Sequence, residues 1–190
     1  MRAEAAGLAL AASLVAAQAV AQAPPRAATC TACHGEDGNA PVPGFPSIAG
    51  QPRLFIDNQL LMMREGLRDV PAMKPVLEGM TDDEIAALAR HFAAQRPRVA
   101  AGVVAQPALQ QRGAALSQRA NCGSCHLPDY RGQNQVPRLS AQNEAYLLQS
   151  MKEFRDHPGP GRDTIMAATL AGMTDADLGA LAHYLATKQP

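Results

Sequence analysis

The 190-residue chain has no tryptophan, and aromatic residues make up only 4% of it. Aromatic side chains carry much of the apolar area of small cores. A chain so poor in them has thin material for packing if it divides into small units. Excess charge is also missing. Seventeen Lys and Arg balance seventeen Asp and Glu, which argues against nucleic acid or an anionic membrane surface as the main partner. No stretch sustains the period-two alternation of a half-buried strand, so no sheet is expected. Cysteine is scarce too, at four residues.

Those four cysteines are all used in two pentapeptides, Cys30-Thr31-Ala32-Cys33-His34 and Cys122-Gly123-Ser124-Cys125-His126. No thiol is left for a disulfide framework. The pattern C-x-x-C-H is the attachment signature of c-type haem. Residues three apart on a helical turn face one side, so two sulfurs can reach one porphyrin edge. The adjacent imidazole is then available to the iron. Other readings fit poorly. A four-cysteine zinc ribbon separates its pairs by roughly 15–20 residues, whereas these lie 92 apart, each with its own His. A thioredoxin-like redox motif needs a βαβ setting, which is absent. Two covalently bound haem c groups are therefore expected, and their apolar bulk would complete two aromatic-poor cores.

Arg2, an apolar Ala-rich run from Gly7 to Ala17 and small residues at Ala19-Val20-Ala21 form a processing segment. The run is too short and too rich in alanine to span a bilayer comfortably. Residues 1–21 read as a cleaved export signal rather than an anchor, which fits haem attachment outside the cytoplasm and a periplasmic location.

Beyond the pentapeptides the chain repeats. Phe45-Pro46-Ser47-Ile48-Ala49-Gly50-Gln51 matches Val136-Pro137-Arg138-Leu139-Ser140-Ala141-Gln142, Phe55 matches Tyr146, and Met63-Arg64 matches Phe154-Arg155. Gly79-Met80-Thr81-Asp82 returns as Gly172-Met173-Thr174-Asp175. The offset is 92 at the first Cys, 91 at Phe45 and 93 at Gly79, the drift of a tandem duplication. Both copies read as helical. Ile85, Leu88, Ala89 and Phe92 occupy i, i+3, i+4 and i+7, and Leu178, Leu181, Ala182 and Leu185 repeat them. The division expected is a first domain at 22–96, a linker at 97–107 and a second domain at 108–190. Ala108 to Ala120 reads as a helix leading into the second haem motif. The first motif, preceded by Pro24-Pro25, has at most one turn before it.

His34 and His126 supply one axial ligand each, and methionine is the natural partner for the other side of the iron. Met62, Met63 and Met151 lie on middle helices and read as core. Thr81 and Glu84 form a capping box, and Met80 beside it can pack on Ile85 as a hydrophobic staple. Thr174, Asp177, Met173 and Leu178 repeat this arrangement. Met73 and Met166, seven residues earlier in each copy and in irregular stretches, have no such job and are the ligand candidates. His91, His157 and His183 do not recur between copies and read as surface or loop residues, with His157 a rival to Met166. Pro46 and Pro137 can each offer a free carbonyl to the Nδ1–H of the preceding haem His; a plain turn proline is the equal alternative.

With these residues placed, the chain resembles the diheme class I cytochromes c, above all the cytochrome c4 type. The likeness is closest along Cys30 to Asn39 and Phe45 to Gln51. It implies an all-α fold of two tandem class I cytochrome c domains, each wrapped around one covalently attached haem. It also implies Met73 and Met166 at the axial positions, and a periplasmic carrier passing electrons between redox proteins, commonly toward a terminal oxidase. The short helix before Cys30 departs from the family, where that helix packs on the domain's last. No acid–base pair or nucleophile constellation asks for an enzyme. Two other readings keep the haems. One is the cytochrome subunit of a periplasmic dehydrogenase, such as a flavocytochrome sulfide dehydrogenase. The other is a diheme enzyme, such as a peroxidase or thiosulfate-oxidising cytochrome.

Overall fold

Thr81 and Thr174 start the last helix of each copy in the way their sequence context demands. Each side-chain oxygen accepts the third helical N–H, and Glu84 or Asp177 returns a bond to the cap's own N–H. These reciprocal bonds satisfy donors that the first helical turn leaves without partners. They define α4 (Asp82–Ala93) and α9 (Asp175–Thr187) in a computed structural model that describes residues 23–190. The expected export segment, residues 1–21, lies outside the described residues.

The first copy comprises α1 (Ala27–His34), α2 (Arg53–Arg64), α3 (Lys74–Leu77) and α4. The second comprises α5 (Pro107–Arg119), α6 (Gly123–His126), α7 (Glu144–Asp156), α8 (Thr164–Leu170) and α9. Among the described residues there is no strand, only one isolated bridge between Gln133 and Val136. None of their helices is long and apolar enough to cross a membrane. The fold is all-α, as expected from the missing period-two pattern.

In each copy the middle helix packs on the last one, α2 on α4 and α7 on α9. The apolar stripes meet there: Ile85, Leu88 and Phe92 close over Ile56 and Leu77, while Leu178, Leu181 and Leu185 close over Leu147 and Leu170. Met80 is buried in the first cluster with Ile85, as a staple should be. Arg64 and Arg155 tie the end of the middle helix to the start of the last one. Their Nη1 groups donate to the carbonyls of Met80 and Met173, each at 2.8 Å, and their Nη2 groups pair with Asp82 and Asp175.

The copies differ ahead of the cysteines. The helix expected over 108–120 spans Pro107–Arg119, with Pro107 at the first position, where its missing N–H costs nothing. It lies close against α9 at Gly113, where an added Cβ would sit 2.3 Å from the Ala180 carbonyl oxygen. In the first copy one turn of α1 precedes Cys30; Ala27 is buried in the cluster that α4 lines, and Arg26 just before it pairs with Glu84 at 2.9 Å.

Two local expectations need correction. Met166 is not in an irregular stretch: Asp163 caps the N–H groups of Ile165 and Met166 and so starts α8. The counterpart of Asp163 is Val70, whose side chain has no oxygen to cap with. His183 is not a surface residue either. It is buried where α9 meets the N-terminus of α7, its Nε2 accepting from the Gln106 N–H at 2.9 Å. Since a backbone N–H can only donate, Nδ1 carries the ring proton and gives it to Glu144, 3.1 Å away.

Candidate haem sites

The fifth residue of each pentapeptide is the best fixed. His34 ends α1 and His126 ends α6, with exposures of 7% and 3%. Each ring directs Nδ1 at a prolyl carbonyl, Pro46 for His34 and Pro137 for His126, both at 2.8 Å. A carbonyl can only accept, so Nδ1 must carry a proton, and in the neutral ring Nε2 then presents a bare lone pair. That is the tautomer a metal-ligating imidazole needs. Burial pushes both imidazoles below the ordinary histidine range, opposed by the bond to the proline carbonyl. Burial thus favours the neutral form of both rings, the form that can ligate a metal. Pro46 and Pro137 serve as acceptors, beyond any role in the turn.

The cysteines are placed alike in the two copies. Cys30 and Cys122 are half-buried against the cores, whereas Cys33 and Cys125 are exposed. Among the described residues no disulfide joins any of them. Burial raises the Cys30 thiol above its usual value. In the first copy the motif lies within one continuous helix. In the second, Asn121 adopts a left-handed backbone (φ 53°) between α5 and α6, and Cys122 caps the short helix that follows. Among the described residues no three His, Cys, Asp or Glu side chains converge, so the two cysteine pairs do not form one four-thiol centre.

Each core also has a methionine besides its staple. Met73 packs, half-buried, on the cluster that Cys30 borders, and Met166 does the same on the cluster bordered by Cys122. His157 ends α7 with its side chain 69% exposed and 3.6 Å from Glu153. It is outside both core clusters. Each copy thus supplies a half-buried thioether, a buried imidazole and a pair of thiols. This donor set suits a low-spin haem iron.

Sequence reasoning missed the polar seam between the copies. Gln51 and Gln142 are 3% and 4% exposed, and Arg138 is 2% exposed. The Arg138 guanidinium donates to the carbonyls of Ser140 and Ala49, the latter at 2.9 Å, and reaches Ser47 O at 3.4 Å. Among the described residues no carboxylate pairs with it, and burial pushes it down to about 10. Gln51 and Gln142 recur at equivalent positions of the repeat, which was the available signal, but recurrence alone does not say that each reaches across to the other copy.

Comparison with known proteins agrees with this geometry. The family model described as cytochrome c matches residues 110–189. That described as cytochrome c oxidase, cbb3-type, subunit III matches residues 18–91. Cytochrome c4 of Pseudomonas aeruginosa is 32% identical over 171 residues, 84% of each chain. A thiosulfate dehydrogenase electron acceptor of Thiomonas intermedia is 31% identical over 178 residues, 88% of this chain and 82% of that protein. The crystal structure of reduced recombinant cytochrome c4 from Pseudomonas stutzeri has a TM-score of 0.79 and 29% identity, covering 88% of this chain and 99% of that one.

Proposed function

The chain belongs to the cytochrome c4 family of diheme electron-transfer cytochromes, and from that premise we propose that it is a periplasmic electron shuttle, not an enzyme, working toward a terminal oxidase. When bound, each haem c supplies reversible one-electron chemistry, and thioether ligation raises its reduction potential. The chain's own part is to attach and enclose. Cys30 and Cys33 would hold the first haem and Cys122 and Cys125 the second. His34 with Met73 and His126 with Met166 would ligate the two irons. The domains run from 22–96 and 108–190, joined by 97–107, and residues 1–21 direct export.

The observation that carries this reading is the buried imidazole held by a prolyl carbonyl in each copy, in a chain whose two cores each carry a half-buried methionine. Two protein ligands leave no coordination site for a substrate. The Thiomonas relative favours a second choice of partner, in which the electrons arrive from a periplasmic dehydrogenase. Stopped-flow mixing separates these. Fast oxidation of the reduced protein by oxidase-containing membranes, with no rapid carbon monoxide binding and no peroxide turnover, supports the shuttle. Reduction only by a co-purifying dehydrogenase favours the second partner, and peroxide turnover refutes the carrier reading.

A further inference from the structure

The peptide group that receives each haem histidine is gripped from the opposite copy. His34 Nδ1 donates to the carbonyl of the Pro46–Ser47 peptide, and the N–H of that same peptide donates to Gln142 Oε1 at 2.6 Å. Gln142 Nε2 completes the bracket on the Ser47 carbonyl at 2.9 Å. The arrangement is repeated in mirror roles. His126 Nδ1 donates to the Pro137–Arg138 peptide, whose N–H donates to Gln51 Oε1 at 2.9 Å, and Gln51 Nε2 donates to the Arg138 carbonyl at 3.0 Å. Both carboxamides are enclosed by protein. A glutamine suits this task because one uncharged group offers a donor and an acceptor side by side, matching the N–H and C=O of a single residue.

We propose that Gln51 and Gln142 are crosswise positioning residues, each setting the strength of the hydrogen bond made by the iron-ligating histidine of the other copy. Hydrogen bonds in series polarise one another, more so where water is excluded. An N–H drawn toward a glutamine oxygen makes the carbonyl of its own peptide a better acceptor. A better acceptor draws the Nδ1–H harder and makes the imidazole a more basic ligand. A more basic ligand favours the oxidised state. Each copy therefore holds down the reduction potential of its neighbour's haem. The interface acts as more than glue, because separating the copies would alter both potentials. This inference rests on His34 and His126 being axial ligands.

The test uses the full-length diheme protein with Gln142→Met and Gln51→Met, which keep the bulk and remove the bracket. Each haem is followed by NMR through a redox titration, with the Nδ1–H resonances of His34 and His126 in the reduced protein as a second readout. Gln142→Met should raise the reduced-to-oxidised ratio of the haem held by His34 roughly two- to fivefold at fixed solution potential. It should also move the His34 Nδ1–H resonance upfield and leave the His126 haem unchanged. Gln51→Met should do the converse. The gentler Gln142→Asn, one methylene short of reach, should give a smaller shift of the same sign should the Met variant lose haem. A change in the variant's own copy, an equal change in both haems, or no change overturns the proposal. Wild-type protein without ring-current-shifted Nδ1–H signals from the two histidines would instead refute histidine ligation itself.

Discussion

Arg64, at the end of α2, donates from Nη1 to the carbonyl of Met80 at 2.8 Å, and so fixes the residue that enters α4. The side chain of Met80 is buried beneath this bond against Ile85. Backbone and side chain of Met80 are thus both engaged in joining two helices. Met80→Ala should cost about 2–5 kcal/mol of stability, the range for emptying a buried methionine site. Urea denaturation measures that loss. The oxidised spectrum should keep its full methionine-to-iron band in the near infrared, because the proposed ligand is Met73 and Met80 is the staple.

Thr81 and Thr174 each satisfy a first-turn N–H that has no other partner in the helix. Replacing either with Ala should destabilise its copy by about 1 kcal/mol, the usual worth of such a cap. Because each cap also anchors a returning carboxylate, Thr81→Ser should recover most of the loss in thermal unfolding. An unchanged midpoint in Thr81→Ala would show that the capping box contributes nothing.

Gly113 is where two opposing effects can be weighed. Alanine in a helix interior is favoured over glycine by roughly 0.8–1.0 kcal/mol. Here, however, an added Cβ would lie 2.3 Å from Ala180 O and 2.5 Å from Tyr184 Cβ. Backbone oxygen cannot swing aside, so α5 must move off α9, at a typical cost of 1–3 kcal/mol, about the range for overpacking. Steric conflict outweighs propensity, and Gly113→Ala should lower the unfolding midpoint of the second copy. A rise would mean the helices are less tightly packed than these distances require.

Asp177 gives the chain an acid-sensitive contact. Hydrogen bonds from the Thr174 side chain, then Arg112, then the Thr174 backbone hold its carboxyl down from 3.8 to about 2. A group whose folded-state pKa is depressed stabilises the fold above its unfolded value, and that contribution fades as pH falls through the folded value. The window is therefore from just above pH 3.8 down to about 2. Across it, the denaturation midpoint of Asp177→Asn should depend less steeply on pH than that of the parent. Equal slopes would contradict the role given to this carboxylate.

Much of this architecture was legible in the order of residues. Two C-x-x-C-H pentapeptides, a tandem offset and the capping boxes at Thr81 and Thr174 are local patterns, and local patterns survive folding. The prolyl acceptors were readable as an option because Pro46 and Pro137 keep almost the same distance from their histidines. The failures lay where the deciding contact is distant in sequence. His183 reads as a stray exposed histidine until α9 meets Glu144 and Gln106. Nothing in the sequence around Arg138 marks it as buried, yet it is enclosed because the other copy supplies carbonyls at Ser47 and Ala49. Met166 was misread locally: a single Asp, absent from the first copy, caps a helix where Met73 has only a turn before α3.

The central claim is that each copy binds one haem between a proline-locked histidine and a methionine seven residues before the staple. The most direct test is the near-infrared methionine-to-iron band of the oxidised protein, measured on chains whose intact mass shows two haems. Met73→Ala and Met166→Ala should each remove about half of the band, with Met80→Ala and Met173→Ala leaving it whole. A band lost on changing Met80 or Met173, or kept when Met73 and Met166 are both replaced, would contradict the account.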